Sequence, residues 1–276
     1  MRNIEPIKKK YIKVLAYRYF DKQVLDLDDS EFQKCSLLSE VWAYVDSVVP
    51  EGYSNFTIFD FDGYAVDTDK KKHQILSPGT VIKVRNQICN FCWGVEWGKI
   101  RDRYRGSEKN AVSFLRKNNI MQNRLENGEN VIIFGPADGK KGRTMIASLI
   151  IKEAVKSRIR SGDRGETYNW IDFNTILRAS KDDTMALVEF KTCNWLVVDN
   201  IIKKPRSPQQ MTLITDLIDS FFIERFNSKL STILVFKFDL NNDMLNIEKE
   251  FGVGINNIVE SNRTLKISLS EGDLIE

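Results

Sequence analysis

Residues 131–147 read VIIFGPADGKKGRTMIA, and the fold turns on this stretch. Val131-Ile132-Ile133-Phe134 is a short apolar run, which reads as a buried strand. It ends in Gly135-Pro136. A loop rich in glycine and lysine follows, and then an amphipathic helix from about Arg143 to Arg160. Strand, glycine-rich loop and helix in that order form a phosphate cradle. The glycines let backbone N–H groups close on phosphate oxygens. A cation reaches the terminal phosphates, and a hydroxyl at the helix N-terminus holds magnesium. The strict spacing is G-x-x-x-x-G-K-[ST], and two registers compete for it. Counted from Gly135, Lys141 takes the lysine position, but Lys140 and Gly142 replace the second glycine and the hydroxyl. Counted back from the helix, Gly142-Arg143-Thr144 takes the place of G-K-T, with arginine for lysine and a longer loop through Pro136 and Gly139. The second register is preferred, because Ile146 and Ala147 then pack on the sheet. Arginine matches phosphate geometry but is not an interchangeable lysine.

Outward from this stretch, strands and helices alternate. The pattern predicts strands at Tyr168–Phe173, Trp195–Val198, Thr232–Phe238 and Thr264–Leu269. Helices are expected over 107–126 and over Gln209–Phe226. Alternation of this kind predicts an α/β fold, a parallel sheet with flanking helices. Asn194-Trp195-Leu196-Val197-Val198-Asp199-Asn200 is an apolar strand ending in an acid, suited to hold magnesium beside a phosphate cradle. Asn200 follows where a carboxylate would polarise water. An amide cannot accept that proton.

Before residue 105 the elements are shorter. Ser30–Val49 reads as a helix closed by Pro50, Phe56–Phe61 as a strand, and Ser77-Pro78 opens a helix to about Cys92. The chain is expected to divide into a smaller mixed N-terminal module, 1–105, and an α/β domain, 106–276. Its 276 residues include sixteen Phe, eight Tyr and five Trp, too much apolar surface for a disordered chain. Four cysteines cannot staple a fold of this size, so a reducing compartment is expected. No apolar run approaches the ~18 residues that span a bilayer, and no signal-peptide pattern opens the chain. A cytoplasmic protein with no membrane partner is expected.

The net charge of +3 is mild, but it is unevenly spread. Basic residues bunch near the N-terminus and again at Lys99, Arg101, Arg103 and Arg105. Such clusters are either solvated helix faces or phosphate contacts to nucleic acid. Trp93, Trp97 and Tyr104 nearby are either base-stacking platforms or core. Cys89-Asn90-Phe91-Cys92 is a single C-x-x-C, with Cys35 and His73 as weak further zinc candidates. Zinc needs about four ligands, so buried thiols are favoured over metal.

TIFDFDGYAVDT, residues 57–68, closely resembles the first motif of haloacid-dehalogenase-type phosphatases. The resemblance makes Asp60 a nucleophile and Asp62 an acid/base. The other motifs of that family find no place here, and a strand ending in a polar turn is favoured.

The whole run from about 107 to 270 resembles the AAA+ domain of replicative-helicase loaders of the DnaC/DnaI type and of the transposition helper IstB. The stations stand in order: a basic helix, FGPADGKKGRTMIA, NWLVVDN, FFIERFNSKLSTILVF and FGVGINNIVESNRTLKISL. The resemblance implies an AAA+-like P-loop sheet. It implies ATP on Gly135, Pro136, Gly139, Lys140, Lys141, Gly142, Arg143 and Thr144, with magnesium on Asp199 and Thr144. Asp199, Asn200, Arg225 and Lys237 then fall at catalytic stations. Arg225 matches the family's pattern. Lys237 stands near a sensor asparagine's place, and Asn256 and Asn257 where a trans-acting arginine is usual. With the lysine and the catalytic acid also replaced, weak or absent hydrolysis follows. The implied role is a phage- or bacterial-type replication accessory that engages a DnaB-type helicase and single-stranded DNA, with a homo-oligomer possible. The alternatives are an IstB-like transposition helper and the phosphatase.

Overall fold

The computed structural model describes residues 4–50, 58, 61–66, 72–99, 123–124, 127–135, 140–159, 167–182, 187–203, 208–240, 246–270 and 273. The chain forms two compact units, each assembled from separated stretches. One takes in Met1–Asp62, Ile82–Met121 and Ser148–Gly165. The other takes in Gly63–Val81, Gln122–Ala147 and Glu166–Glu276.

The first unit contains α1 (Ile4–Phe20), α2 (Asp29–Val48) and most of α3 (Pro78–Trp93). Tyr11, Leu15 and Ala16 of α1 pack on Cys35 and Ala43 of α2. Among these apolar side chains lies a buried polar group. Lys152 Nζ stands 3.4 Å from Asp46 Oδ1, and the Tyr11 hydroxyl donates to Asp46. Burial of an ion pair is tolerated when hydrogen bonds satisfy the remaining lone pairs. Glu153 is likewise buried. It accepts the Ile58 N–H at 3.3 Å and the Trp93 indole N–H at 3.3 Å. The predicted strand at 56–61 lies largely outside the described residues, as does the predicted helix over 107–126.

The second unit is built on a five-stranded parallel sheet. Its strands are β3 (Asn130–Phe134), β4 (Tyr168–Asp172), β5 (Trp195–Ile201), β6 (Ser231–Phe236) and β7 (Thr264–Ser268). A separate antiparallel pair, β1 (Tyr64–Val66) and β2 (Lys72–Gln74), precedes it. The order across the large sheet is β4-β5-β6-β3-β7. That order agrees with the AAA+-like sheet expected from the sequence. Every residue of β3 and β6 is buried, while edge strand β7 is mostly half-exposed. A parallel strand covered on both faces must be apolar throughout, which is why VIIF and TILVF read as unbroken runs. Each such side chain contributes about 1.5–3 kcal/mol on burial.

α4 (Lys140–Ile159) follows β3 and begins three residues earlier than the expected Arg143. Two short helices not anticipated from the sequence, α5 (Phe173–Asp182) and α6 (Val188–Thr192), join β4 to β5. α7 (Pro208–Asn227) opens on proline, whose fixed φ suits a first helical turn. α8 (Ile247–Phe251) is capped by Asn246, whose side chain accepts the Lys249 N–H at 3.0 Å. Gly252, at φ +91°, turns the chain into α9 (Val253–Glu260). A Cβ there would stand 2.0 Å from Asp219 Oδ1, the atom that accepts the Gly254 N–H at 2.9 Å. Among the described residues no helix is long and apolar enough to cross a membrane.

Candidate functional site at the carboxyl edge of the sheet

In an open parallel sheet, ligands gather beyond the carboxyl ends of the strands. β3 ends there in Gly135, and a Cβ on Gly135 would stand 2.6 Å from the Leu269 carbonyl oxygen. Only glycine lets the two backbones approach so closely. Asp172 closes β4 and sits in register beside Asp199 of β5. The pairing of β5 with β6 then shifts register between Val198 and Ile201, and Asn200 takes φ +61°. A bulge re-aims the side chains around it, and asparagine is among the few non-glycine residues at ease in the left-handed region.

Asp199 is buried, and both its carboxylate oxygens are engaged. Thr144 Oγ1 donates to Oδ2 at 3.0 Å. The Asn200 N–H donates to Oδ1 at 2.7 Å, and Lys237 Nζ stands 3.7 Å from the same oxygen. Asn200 turns its amide aside, and Nδ2 donates to Asp172 Oδ2 at 2.5 Å. Asp172 Oδ1 accepts from the Asn174 N–H at 2.8 Å and from Nδ2 at 2.9 Å. A cavity of about 540 Å³ opens here, with Asp172, Asn174, Asn200, Lys203, Lys237 and Phe238 in its wall.

Burial pushes the Lys237 ammonium below its ordinary value. Asp199 and Asp172 raise it in part, and Arg143 lowers it further. Arg143 is wholly buried. The structure thus brings together Arg143, Thr144, Asp172, Asp199, Asn200 and Lys237. Asp172 was missed in the sequence, although Trp170-Ile171-Asp172 repeats the pattern of an apolar strand ending in an acid.

Other expected residues lie elsewhere. Pro136 and Gly139 fall outside the described residues. Lys140 and Lys141 begin α4, and Gly142 is buried in it. Arg225 does not join Asp199. It is fully buried and donates to the carbonyl oxygens of Phe190 (2.8 Å), Lys191 (3.0 Å), Cys193 (2.8 Å) and Ser231 (2.7 Å) and to Thr232 Oγ1 (3.1 Å). These acceptors gather at the amino ends of β5 and β6, about 13 Å along the strand from Asp199 at ~3.3 Å per residue. Asn256 and Asn257 are half-buried in α9.

Lys99 is exposed and 3.7 Å from Glu96, whereas Arg101, Arg103, Arg105 and Tyr104 lie outside the described residues. Trp93 and Trp97 are core residues, the latter covered by the Arg85 guanidinium at 4.7 Å. Cys35, Cys89, Cys92 and Cys193 are buried, and His73 is exposed in β2. Among the described residues, no three His, Cys, Asp or Glu side chains gather as a metal site. Asp60 lies outside the described residues, and Asp62 is exposed.

Magnesium asks for near-octahedral oxygen ligation at about 2.0–2.1 Å. Thr144 and Asp199 are donors of the right type, but a buried ammonium already stands 3.7 Å from Asp199 Oδ1, where the ion's charge would fall. The residues present do not fit the ion.

Strand order, the strand-loop-helix at 131–147 and the Thr144–Asp199 contact define an α/β protein of AAA+-like type. The chain is similar to three solved structures. One is a candidate primosome component from Streptococcus pyogenes serotype M3, at 12% identity over 85% of this chain and 98% of that one, TM-score 0.46. Another is DnaI, at 16% identity over 66% and 95%, TM-score 0.38. The third is the DnaC helicase loader, at 21% identity over 62% and 97%, TM-score 0.39. All three scores lie below 0.5, and the fold assignment stands on this chain's own strand order and register. No family model and no curated protein matches the chain.

Proposed function

We propose that this chain is a replication accessory protein of the helicase-loader kind. It binds ATP at the carboxyl edge of its sheet and hydrolyses it slowly or not at all. It grips single-stranded DNA through Lys99, Arg101, Arg103 and Arg105, and it delivers or remodels a hexameric helicase of the DnaB type. The observation that carries the nucleotide reading is the 3.0 Å hydrogen bond from Thr144 to Asp199. It joins the helix after the glycine-rich loop to the acid that ends the neighbouring apolar strand. Weak hydrolysis rests on Asn200, whose amide donates to Asp172 at 2.5 Å and offers no base to water. The choice of partner rests on the order of motifs along the chain.

One sample tests the reading. Labelled ATP is titrated into the full chain with and without single-stranded DNA, and phosphate release is followed in parallel. Binding with slow release is expected. Failure to bind at millimolar nucleotide refutes the nucleotide part, and rapid release abolished by Asp199→Ala refutes the stalled chemistry. DNA affinity is expected to fall linearly in log–log form with salt. The slope is about −0.7 per phosphate contact for a single strand and becomes shallower when the four basic residues are replaced by Gln. Copurification with a hexameric helicase separates this function from that of a transposition helper.

A further inference from the structure

The most unusual feature of the carboxyl edge is that it supplies its own cation. Lys237 Nζ stands 3.7 Å from Asp199 Oδ1. Its side chain is only 11% exposed and that of Asp199 6%. A buried ammonium must be held by an opposite charge, or its desolvation would drive off the proton. Arg143, also buried, adds a second positive charge that Lys237 feels, and Asp172 a second negative one. Two cations therefore balance two carboxylates. The Thr144 hydroxyl donates its proton to the other carboxylate oxygen, Asp199 Oδ2, at 3.0 Å. The cluster is internally bonded, and it opens on the cavity walled by Asp172, Asn200, Lys203 and Lys237, where Lys203 adds a further positive charge. A divalent ion entering at Asp199 would meet a like charge. A polyphosphate entering from the cavity would meet an ammonium already in place.

We propose that the Lys237 ammonium takes the place of a divalent cation at Asp199, so that this edge binds the phosphates of a nucleoside triphosphate without metal. The proposal rests on the nucleotide reading above for its ligand, but not for its metal-excluding geometry.

Two titrations on the full chain test it. In the first, ATP affinity is measured in magnesium and in excess chelator. The wild type is expected to bind equally under both conditions, within about threefold. Lys237→Asn is expected to bind at least about tenfold more tightly with magnesium. Lys237→Arg, which keeps the charge, should behave as the wild type. A wild type that loses ATP tenfold or more on chelation overturns the proposal. In the second, manganese alone is titrated and free ion is read by electron paramagnetic resonance. Lys237→Asn is expected to gain a site that Asp199→Asn removes, while the wild type has none. If the chain binds no ATP at all, the nucleotide reading fails and the manganese titration decides alone. A site gained only by Lys237→Asn then sustains the replacement of metal by lysine. Equal manganese binding in wild type and variant, or none in either, overturns it.

Discussion

Replacing Arg225 by alanine should cost about 4 kcal/mol of stability, because it leaves buried acceptors without their donor at about 1–3 kcal/mol each before water and relaxation recover part. The guanidinium makes charge-assisted hydrogen bonds to four carbonyl oxygens and one hydroxyl, all between 2.7 and 3.1 Å. At about 1.5–3 kcal/mol each, five such bonds would sum to roughly 8–15 kcal/mol. Two effects reduce that total. Burying the charge cost several kcal/mol in the first place, and water entering the space left behind would rescue some carbonyls. Burial is also what pushes the Arg225 pKa down, opposed by neighbouring Cys193. Urea unfolding measures the loss. With m about 3 kcal/mol/M, the midpoint should fall by about 1.3 M at unchanged m. Arg225→Lys should recover only part of it, because one ammonium cannot span acceptors on α6, at its Cys193 cap and on β6. A loss below about 1 kcal/mol would refute the reasoning, since that is the worth of a single ordinary hydrogen bond. A loss of ATP turnover at unchanged stability would likewise return Arg225 to the catalytic station that the motif order suggests.

Three further outcomes are expected. Asn200→Asp sets a carboxylate where an amide now donates to Asp172 at 2.5 Å. It should lower stability at pH 7 by about 2 kcal/mol, less in acid as the new pair shares a proton. The ammonium of Lys237 titrates below 10.5, so between its folded value and 10.5 the unfolded chain holds the extra proton and stability should rise with pH. Alkaline urea titrations of Lys237→Gln should lack that slope, and an identical slope would refute the assignment. Gly135→Ala drives a Cβ to 2.6 Å from the Leu269 carbonyl oxygen and should cost about 1–3 kcal/mol, read from thermal unfolding.

The sheet was legible because its central strands are covered on both faces. Such strands announce themselves as apolar runs, and 131–134, 195–198 and 232–236 all became strands. Helices with terminal signals were equally plain. Ser77 opens α3, with Thr80 N–H donating to its hydroxyl at 3.3 Å. The start of α4 was misplaced because Lys140-Lys141 carries no capping residue. α5 and α6 were missed because short helices owe more to the surface they cover than to propensity. At the site, the resemblance to a P-loop pattern set Thr144 beside Asp199. The packing of Arg225 could not be read, because its acceptors lie on α6, at its Cys193 cap and at the start of β6, and meet only in the folded chain. The φ of Asn200 was equally hidden, since it follows from a register shift between β5 and β6.

Two side chains of the edge have a named partner: Asn200 donates to Asp172, and Lys237 faces Asp199. The two belong together physically. With lysine at 237, an acid at 200 would leave three carboxylates sharing the site with Lys237 and Arg143. An amide at 200 without the lysine would leave Asp172 and Asp199 with Arg143 alone. A double-mutant cycle on Asn200→Asp and Lys237→Asn should therefore be non-additive by about 1 kcal/mol or more. The double variant should be less stable than the sum of the singles in chelator and should recover with magnesium, which leaves the wild type unmoved. Additivity under both conditions would mean that Asp172 and Asp199 are satisfied independently.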